Sequence, residues 1–313
     1  MANATINTTY VGQLATPFVA PAILSADSIA NGYVEVLENV RHEAVLKKFT
    51  GAAIGDRSCT FAPEASGNLV LSDVTLTTNQ LQVNEQICNM DLAKDWAAAQ
   101  MRGADASAPN AYTGFLSQYV AKRVAESVER NLWQGKYAIA DGGTTGVYNN
   151  FAGIMNLYVA GAGTNETLVA GAFTGDSNAT TGIITHLNSL TAGAPSEIAG
   201  DPDTKIFMSR KSAQLYYEAL AATYNLPFLN DGLVARYKGY DIITPAGFPD
   251  DTLIIAKKEN MYFGTNVLTD MIEARMLDLT AVTGDAVTRV VMLFDAGCQI
   301  VDEASMGCVR RSS

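Results

Sequence analysis

Two histidines are the side chains of this sequence best suited to acid–base chemistry at neutral pH. His42 stands between Arg41 and Glu43 in a charged segment, and His186 falls within a segment of helical periodicity. The sequence contains neither the HExxH pattern of zinc proteases nor the GxSxG pattern of serine hydrolases, and neither histidine stands near a plausible nucleophile. We therefore expect both histidines to be solvated or to act as simple caps, and we predict no catalytic residue and no enzyme activity.

Three short segments begin a ligand-binding or acyl-enzyme motif without completing it. GAGTNE, residues 161–166, has Glu166 where a dinucleotide-binding loop has its third glycine. DGGTTG, residues 141–146, lacks the Lys-Ser/Thr of a phosphate-binding loop, and SRKS, residues 209–212, is not the SxxK pattern of acyl enzymes. We interpret the two glycine-rich segments as turns, and we predict no cofactor-binding site.

The cysteines do not form a recognisable metal or redox motif. They are far apart and none belongs to a CxxC pair, which argues against a zinc site or a redox dithiol. We expect four reduced thiols in a cytosolic product and no metal site. The four are Cys59, Cys88, Cys298 and Cys308.

Composition excludes several classes of protein. The 313 residues are 48% hydrophobic and 17% charged, which argues against disorder. A net charge of -11 argues against a surface devoted to gripping nucleic-acid phosphates. No segment approaches the roughly 18 apolar residues of a membrane helix, and no basic start precedes an apolar stretch. We expect a soluble protein that is not secreted and does not bind a membrane.

The first third of the chain predicts an arm, a helix and a long β hairpin. Residues 1–24 are uncharged and contain two prolines, which favours an extended arm. Ser25 or Asp27 can cap a helix that the apolar spacing extends to Lys48. From residue 49 to residue 91, apolar residues alternate with Thr, Ser, Asn and Gln, which predicts a two-stranded excursion. An isolated hairpin is marginal in water, so we expect another surface to cover it.

The segment FLSQYVAKRVAESVERNLWQG, residues 115–135, predicts the longest helix. Its apolar residues recur every three or four positions, and its charged residues, Glu129 among them, fall mostly on the other face. A shorter helix at residues 94–101 precedes it. The apolar stripe consists of Phe115, Leu116, Tyr119, Val120, Val124, Val128 and Leu132.

The rest of the chain predicts an α+β fold without regular βαβ spacing. Loops occupy residues 161–180, and a helix follows near residues 181–190. DTKIFMS is a predicted strand and RKSAQLYYEAL a predicted helix. YKGYDIITP and TLIIAKK are further predicted strands, and the C-terminal segment is rich in β pattern.

This order of elements resembles the major capsid protein family of tailed bacteriophages, which has the HK97-like capsid fold shared with gene-transfer-agent and encapsulin shells. In that family an arm precedes a hairpin called the E-loop, a spine helix crosses a peripheral domain, a turn like FAGIMNL follows, and an axial domain is inserted. The resemblance implies an arm and first helix at 1–48, an E-loop at 49–91, a peripheral domain at 92–160 and 265–295 with its spine helix at 112–133, and an axial domain at 161–264 and 296–313.

The resemblance implies a structural function. We expect the chain to self-assemble as pentamers and hexamers into an icosahedral shell that encloses double-stranded phage DNA without binding it specifically. Implied partners are a separate scaffolding protein, or a scaffold-free route, together with a portal and a maturation protease. The product would be a virion capsid assembled in the host cytoplasm. The alternatives are an encapsulin-like nanocompartment shell, a tail or adhesin protein, and an enzyme with an unrecognised site.

Two departures from the family concern covalent crosslinking. Some members join an E-loop lysine to an asparagine at the peripheral tip, whereas residues 49–90 contain no lysine and the tip AVTGDA, residues 281–286, contains no asparagine. We therefore predict shells without isopeptide bonds. A disulfide between Cys59 and a neighbour's Cys298 or Cys308 is a second covalent possibility.

Overall fold

The computed structural model describes residues 7–11, 26–52, 68–88, 109–136, 149–161, 165–176, 180–224, 236–266, 273–279, 284 and 287–312. These residues form a mixed helix-and-sheet fold, which confirms the predicted α+β class. The α-helices are α1 (Asp27–Ala30), α2 (Pro109–Gln134), α3 (Ile154–Ala160), α4 (Ile183–Ala192) and α5 (Arg210–Tyr224). The strands are β1 (Asn7–Val11), β2 (Glu35–Leu37), β3 (Glu43–Ala52), β4 (Asn68–Thr77), β5 (Asn79–Cys88), β6 (Glu166–Val169), β7 (Thr204–Met208), β8 (Arg236–Tyr237), β9 (Tyr240–Ile243), β10 (Thr252–Lys257), β11 (Met261–Thr265), β12 (Glu273–Asp278), β13 (Val287–Ile300) and β14 (Gly307–Arg311).

The first sheet is organised around the long strand β13. Its order is β1-β12-β13-β11-β2, and β5 also pairs with β13. Residues 288–293 of β13 pair with β12 and with β5, so these two strands lie on opposite sides of β13. Every pair is antiparallel except β11 with β2. This sheet carries the larger of two hydrophobic cores.

A second six-stranded sheet has the order β6-β14-β10-β7-β9-β8. Strands β7 and β9 are parallel and are connected through α5, while β10 is antiparallel to both of its neighbours. Its core includes buried residues of α4 and α5 such as Leu187 and Tyr216. Strand β14 joins this sheet between β6 and β10.

Helix α2 confirms the spine helix predicted from the apolar stripe. Val120, Val124, Val128 and Leu132 are buried in the larger core, where they pack with residues of β11 and β13. Their spacing of four residues places them on one face of the helix. At its C-terminal end the Trp133 ring lies in the same core. This apolar stripe attaches the helix to the first sheet.

Two glycines permit the close approach of the chain that follows α2. A Cβ atom on Gly135 would lie 2.3 Å from the Phe151 carbonyl oxygen, and one on Gly153 would lie 2.5 Å from the Gly135 nitrogen. Gly153 N–H donates to the Gly135 carbonyl at 2.8 Å. FAGIMNL is therefore a turn only at its start, because α3 begins at Ile154.

The prediction that the first helix extends to Lys48 is wrong. Helix α1 ends at Ala30, because Gly32 adopts a left-handed φ of 67° and the Asn31 side chain donates to the Asp27 carbonyl. Both features are typical of helix C-termini. The β-branched valines that follow favour strands, and the chain forms β2 and β3 instead.

The predicted hairpin boundaries also need correction. Strand β3 begins at Glu43 and pairs with β4 over ten residues, so the hairpin spans residues 43–77, whereas the predicted excursion spans residues 49–91. Strand β5 pairs with β13 in the first sheet, where Leu81 and Val83 pack against the core. Strand β11, which the sequence grouped with the second sheet, lies in the first sheet.

The prediction of loops throughout residues 161–180 is wrong, because β6 lies within that segment and pairs with β14. The other helix and strand predictions are confirmed where the structure describes them. Helices α4 and α5 and strands β7, β9 and β10 lie where the patterns predicted them. The predicted helix at 94–101 and most of the tip at 281–286 lie outside the described residues, and only β1 is described within the predicted arm. That strand pairs with β12 of its own chain.

The sequence predicted Glu129 on the solvent-facing side of α2, but its side chain is buried, with 2% exposed. Its carboxylate accepts hydrogen bonds from Ser28 N–H at 2.9 Å, from the Ser28 hydroxyl at 2.6 Å and from Trp133 Nε1 at 3.1 Å. Burial raises the pKa of Glu129, and the bonds from Ser28 and Trp133 oppose that rise. Glu129 therefore connects α1 to α2 in the interior.

We predict that Glu129→Ala lowers the free energy of unfolding by about 1–3 kcal/mol, because the buried Ser28 N–H loses its acceptor. Chemical denaturation followed by circular dichroism measures the change. The matched control is Glu126→Ala on the exposed face of the same helix, which we expect to change stability by less than about 0.5 kcal/mol. Equal effects of the two substitutions would contradict the connection between α1 and α2.

Candidate functional site

The residues considered for catalysis are not brought together by the structure. His42 is exposed next to Glu43, whereas His186 is buried in the second core region on α4. Ser209 accepts a hydrogen bond from Ser212 N–H at 3.1 Å and so caps α5. Residues 141–146 and 162–164 lie outside the described residues. Glu166 begins β6 and pairs with Arg310.

Metal binding and thiol chemistry also find no support. Within the described part of the chain, no three His, Cys, Asp or Glu side chains lie close enough together to hold a metal ion. Cys298 and Cys308 are buried free thiols, and burial raises the pKa of each well above its ordinary value. Cys59 lies outside the described residues, so the disulfide considered from the sequence stays a prediction.

His186 contradicts the expectation of a solvated histidine or a simple cap. The side chain is 2% exposed, its ring lies 4.5 Å from that of Phe173, and its Nε2 has no hydrogen-bond partner within the described residues. Burial lowers the pKa of His186, while the Thr181 backbone and Asp251 act in the opposite direction. A buried neutral imidazole packed on an aromatic ring is a structural residue here.

The feature that stands out is the outer face of the β3–β4 hairpin. Cross-strand partners in an antiparallel pair share a face. Phe49 lies opposite Leu71, and Val45 lies opposite Thr75. The exposed fraction of the side chain is 65% for Phe49, 57% for Val45 and 50% for Leu71.

This outer face carries three of the six large hydrophobic residues that are exposed in the described part of the chain. Between its apolar pairs, Lys47 lies opposite Asp73, which places one charge of each sign on the same face. Single exposed apolar residues are common, but a cluster on one element marks an interaction surface. The large hydrophobic residues exposed in the described part of the chain are Val45, Phe49, Val70, Leu71, Tyr119 and Leu168. Val45, Phe49 and Leu71 lie on the outer face of the hairpin, whereas Val70 pairs with Thr50 and lies on its inner face.

The inner face of the hairpin lies against its own subunit. Along β3 from Glu43 to Phe49 and along β4 from Leu71 to Thr75, residues alternate between exposed and half-buried, and Leu76 at the base is fully buried. Farther from the base, Val70 on the same inner face is exposed. Gly264 and Gly297 make room for this base: a Cβ on Gly264 would lie 2.5 Å from Leu76, and one on Gly297 would lie 2.2 Å from the Thr77 carbonyl oxygen. The subunit therefore covers one face of the hairpin and leaves the apolar outer face uncovered.

No helix within the described residues combines the length and the apolar character needed to cross a bilayer. The hairpin outer face is also interrupted by Lys47 and Asp73.

Comparison with solved structures identifies the fold. A chain of the satellite phage P4 procapsid, in a structure that includes the size determination protein Sid, superposes with a TM-score of 0.60 at 12% identity and covers 95% of this chain and 99% of its own. A chain from the capsid of an empty GTA particle has a TM-score of 0.55 at 11% identity, with coverages of 92% and 90%. A chain from Gordonia phage Cozz has a TM-score of 0.55 at 13% identity, with coverages of 92% and 87%.

The chain has the HK97-type fold of phage capsid proteins. No family model matches its sequence, and no curated protein matches it. Only about one residue in eight is identical between this chain and these capsid chains, so the similarity is visible in the fold and not in the sequence. The shared fold confirms the resemblance to phage capsid proteins that the sequence suggested.

We predict that His186 makes the second sheet and its helices less stable in acid. Because the folded-state pKa of His186 lies below that of an unfolded histidine, about 6.5, the stability that its neutral form contributes is fully present above pH 6.5 and is lost as the pH falls. Thermal unfolding between pH 8 and pH 5 measures this loss, which His186→Phe should reduce.

The matched control for that experiment is the other histidine of the chain. His42→Gln removes an exposed imidazole and should leave the dependence of the melting temperature on pH unchanged. If His186→Phe and the parent lose stability equally between pH 8 and pH 5, His186 does not titrate as its burial requires.

Proposed function

We propose that this chain is a major capsid protein that assembles as pentamers and hexamers into an icosahedral shell around double-stranded phage DNA. The observation that carries the proposal is the capsid fold joined to a hairpin whose apolar outer face its own subunit leaves exposed. A second copy of the chain is the occupant of that face. In a shell of identical copies, every hairpin then finds the same neighbouring surface.

The charges and the size of the hairpin fit such a contact. Lys47 and Asp73 offer one cation and one anion between apolar side chains, which fixes the register of a partner without a large net charge. Phe49, Leu71 and Val45 are already about half covered, so covering the rest contributes about 1–2 kcal/mol for each side chain. Repeated once per subunit, contacts of this strength support a closed shell.

The domain assignment follows the two sheets. We propose that residues 43–77 form the E-loop, that α2 and the first sheet form the peripheral domain, and that the second sheet with α4 and α5 forms the axial domain. These boundaries differ from those predicted because β11 and the last five residues of β13, 296–300, belong to the first sheet. The connection between β10 and β11 is then one point at which the chain passes between the domains.

We also propose that the chain is a structural protein that has no enzyme activity and binds no cofactor. The negative net charge fits a shell that encloses DNA without binding it tightly. We propose a separate scaffolding protein or a scaffold-free route, a portal and a maturation protease as partners, with assembly in the host cytoplasm. The similar structures come from phage and GTA capsids, and they favour neither an encapsulin-like compartment nor a tail or adhesin protein.

The argument against an isopeptide crosslink needs correction. Because the hairpin begins at Glu43, it contains Lys47 and Lys48, although residues 49–90 contain no lysine. Lys47 is exposed, so a lysine amine is available on the outer face. A shell without isopeptide bonds remains a prediction that now depends only on the absence of asparagine from the tip at residues 281–286.

We predict that the double substitution Phe49→Thr with Leu71→Thr prevents assembly while preserving the fold. Threonine keeps the β propensity of both positions and removes most of their apolar surface. A loss of about 3 kcal/mol per contact raises the threshold concentration for shells about a hundredfold. Sedimentation velocity at increasing concentration measures that threshold, and circular dichroism confirms the fold.

Leu168→Thr is the matched control, because it removes an exposed leucine outside the hairpin. The control should assemble at the parent concentration. Assembly of the double variant at that same concentration would show that the hairpin outer face is not the contact between copies.

A further inference from the structure

One ion pair holds the hairpin to the body of its subunit at a distance from its base. Lys48 Nζ lies 2.6 Å from Asp302 Oδ1, and each side chain is about a quarter exposed, at 26% and 22%. Lys48 belongs to the inner face of β3, where it lies opposite Ser72. Asp302 lies between β13 and β14, where the chain leaves the first sheet for the second.

The base of the hairpin provides a fixed point. Leu76 is buried over Gly264, the Thr77 carbonyl lies close to Gly297, and Thr78 donates its N–H to the His42 carbonyl at 2.9 Å. Lys48 lies five residues beyond Glu43, which is about 17 Å along an antiparallel strand. The base fixes one end of the hairpin, and the ion pair holds the hairpin at a second point about 17 Å away.

The binding site for Lys48, which we call its socket, is the Asp302 carboxylate, and residues outside the hairpin hold that carboxylate in place. The Asp302 carboxylate accepts hydrogen bonds from Ala304 N–H at 3.0 Å and from the Ser305 hydroxyl at 2.8 Å. The Asn260 side chain donates to the Asp302 carbonyl at 2.6 Å and accepts from Asp302 N–H at 2.7 Å. These bonds hold Asp302 in place whether or not Lys48 is present.

The protonation state of Asp302 agrees with this role. Partial burial alone would raise the pKa of Asp302, but the bonds from Lys48, Ser305 and Ala304 outweigh burial and lower it. Asp302 is therefore ionised at neutral pH and attracts Lys48. The neighbouring Lys47 points to the opposite face of β3 and lies opposite Asp73, so it does not share the socket.

We propose that the Lys48–Asp302 ion pair is a latch that sets the angle between the hairpin and the body of the subunit. Opening the latch lets the hairpin swing about its base. An ion pair suits this purpose, because a partly exposed pair contributes little net stability and can open without unfolding the chain. Resting on the proposed function, the latch gives all unassembled subunits one hairpin angle and thereby one starting curvature for the shell.

The latch is tested first in the unassembled chain by electron–electron distance measurements between two spin labels. One label is attached at Val70→Cys, near the end of the hairpin that lies farthest from its base. The other is attached at Lys238→Cys, in the turn between β8 and β9 of the second sheet. The background is Cys59→Ser with Cys88→Ser, and the buried Cys298 and Cys308 stay unlabelled. With the latch intact, one narrow distribution of distances is expected.

Lys48→Met keeps the length of the side chain and removes its charge, and it should broaden that distribution at least twofold. Lys48→Arg should restore the narrow distribution, because a guanidinium also pairs with Asp302. Lys47→Met is the matched control and should leave it narrow. Asp302→Asn provides a second route to the open latch. Narrow distributions in both Lys48→Met and Asp302→Asn would overturn the proposal.

Particles provide the second readout. Electron microscopy of Lys48→Met particles should show a spread of diameters where the parent and Lys47→Met give one size. Uniform Lys48→Met shells of the parent size would overturn the part of the proposal that concerns curvature. If the parent forms no shells, the proposed function fails, while the distance measurement still decides whether the latch exists.

Discussion

The whole arrangement depends on the packing of one face of α2 against the first sheet. Val120, Val124, Val128 and Leu132 enter the core that β13 and β11 share, so one helix fixes the position of the longest strand that the structure describes. Strand β13 in turn holds β5, β11 and β12. The base of the hairpin rests on glycines of β11 and β13, and its position is therefore set by the same packing.

A second constraint follows from the shape of the hairpin. A two-stranded sheet has two faces, and its own subunit can cover only one of them. The inner face carries Leu76 and Lys48, which bind the subunit, while the outer face carries Phe49 and Leu71, which remain exposed. Attachment to the subunit and association with a neighbour are thus separated on opposite faces of one element. Substitutions on one face can then change assembly without changing the fold.

Much of this fold can be predicted from the sequence, because long periodic patterns reflect burial directly. The helical stripe of α2 and the apolar strands β7 and β10 carry such patterns, and each was predicted in place. The segment from Tyr33 to Lys48 could not be predicted, since spacings of three and four residues occur there by chance. One left-handed glycine, Gly32, ends the helix that the pattern extends.

The parts that matter most for assembly depend on contacts between distant residues. Glu129 reads as a solvent-facing residue of α2, and only its contact with Ser28, 101 positions away, explains its burial. The pairing of Lys48 with Asp302 likewise joins distant segments that no local pattern relates. The start of the hairpin at Glu43 was missed for the same reason, because strand pairing between β3 and β4 decides it. The spacing of apolar residues predicts which face of a helix or strand is buried, but it does not predict which distant element packs against that face.

The central claim is that copies of this chain close into a shell by covering one another's hairpins. Negative-stain electron microscopy of the expressed protein tests it most directly, because closed shells, tubes and small particles are distinguished in a single image. We expect closed icosahedral shells of one diameter. Open tubes, isolated trimers or only small particles at every concentration and salt condition would contradict the account.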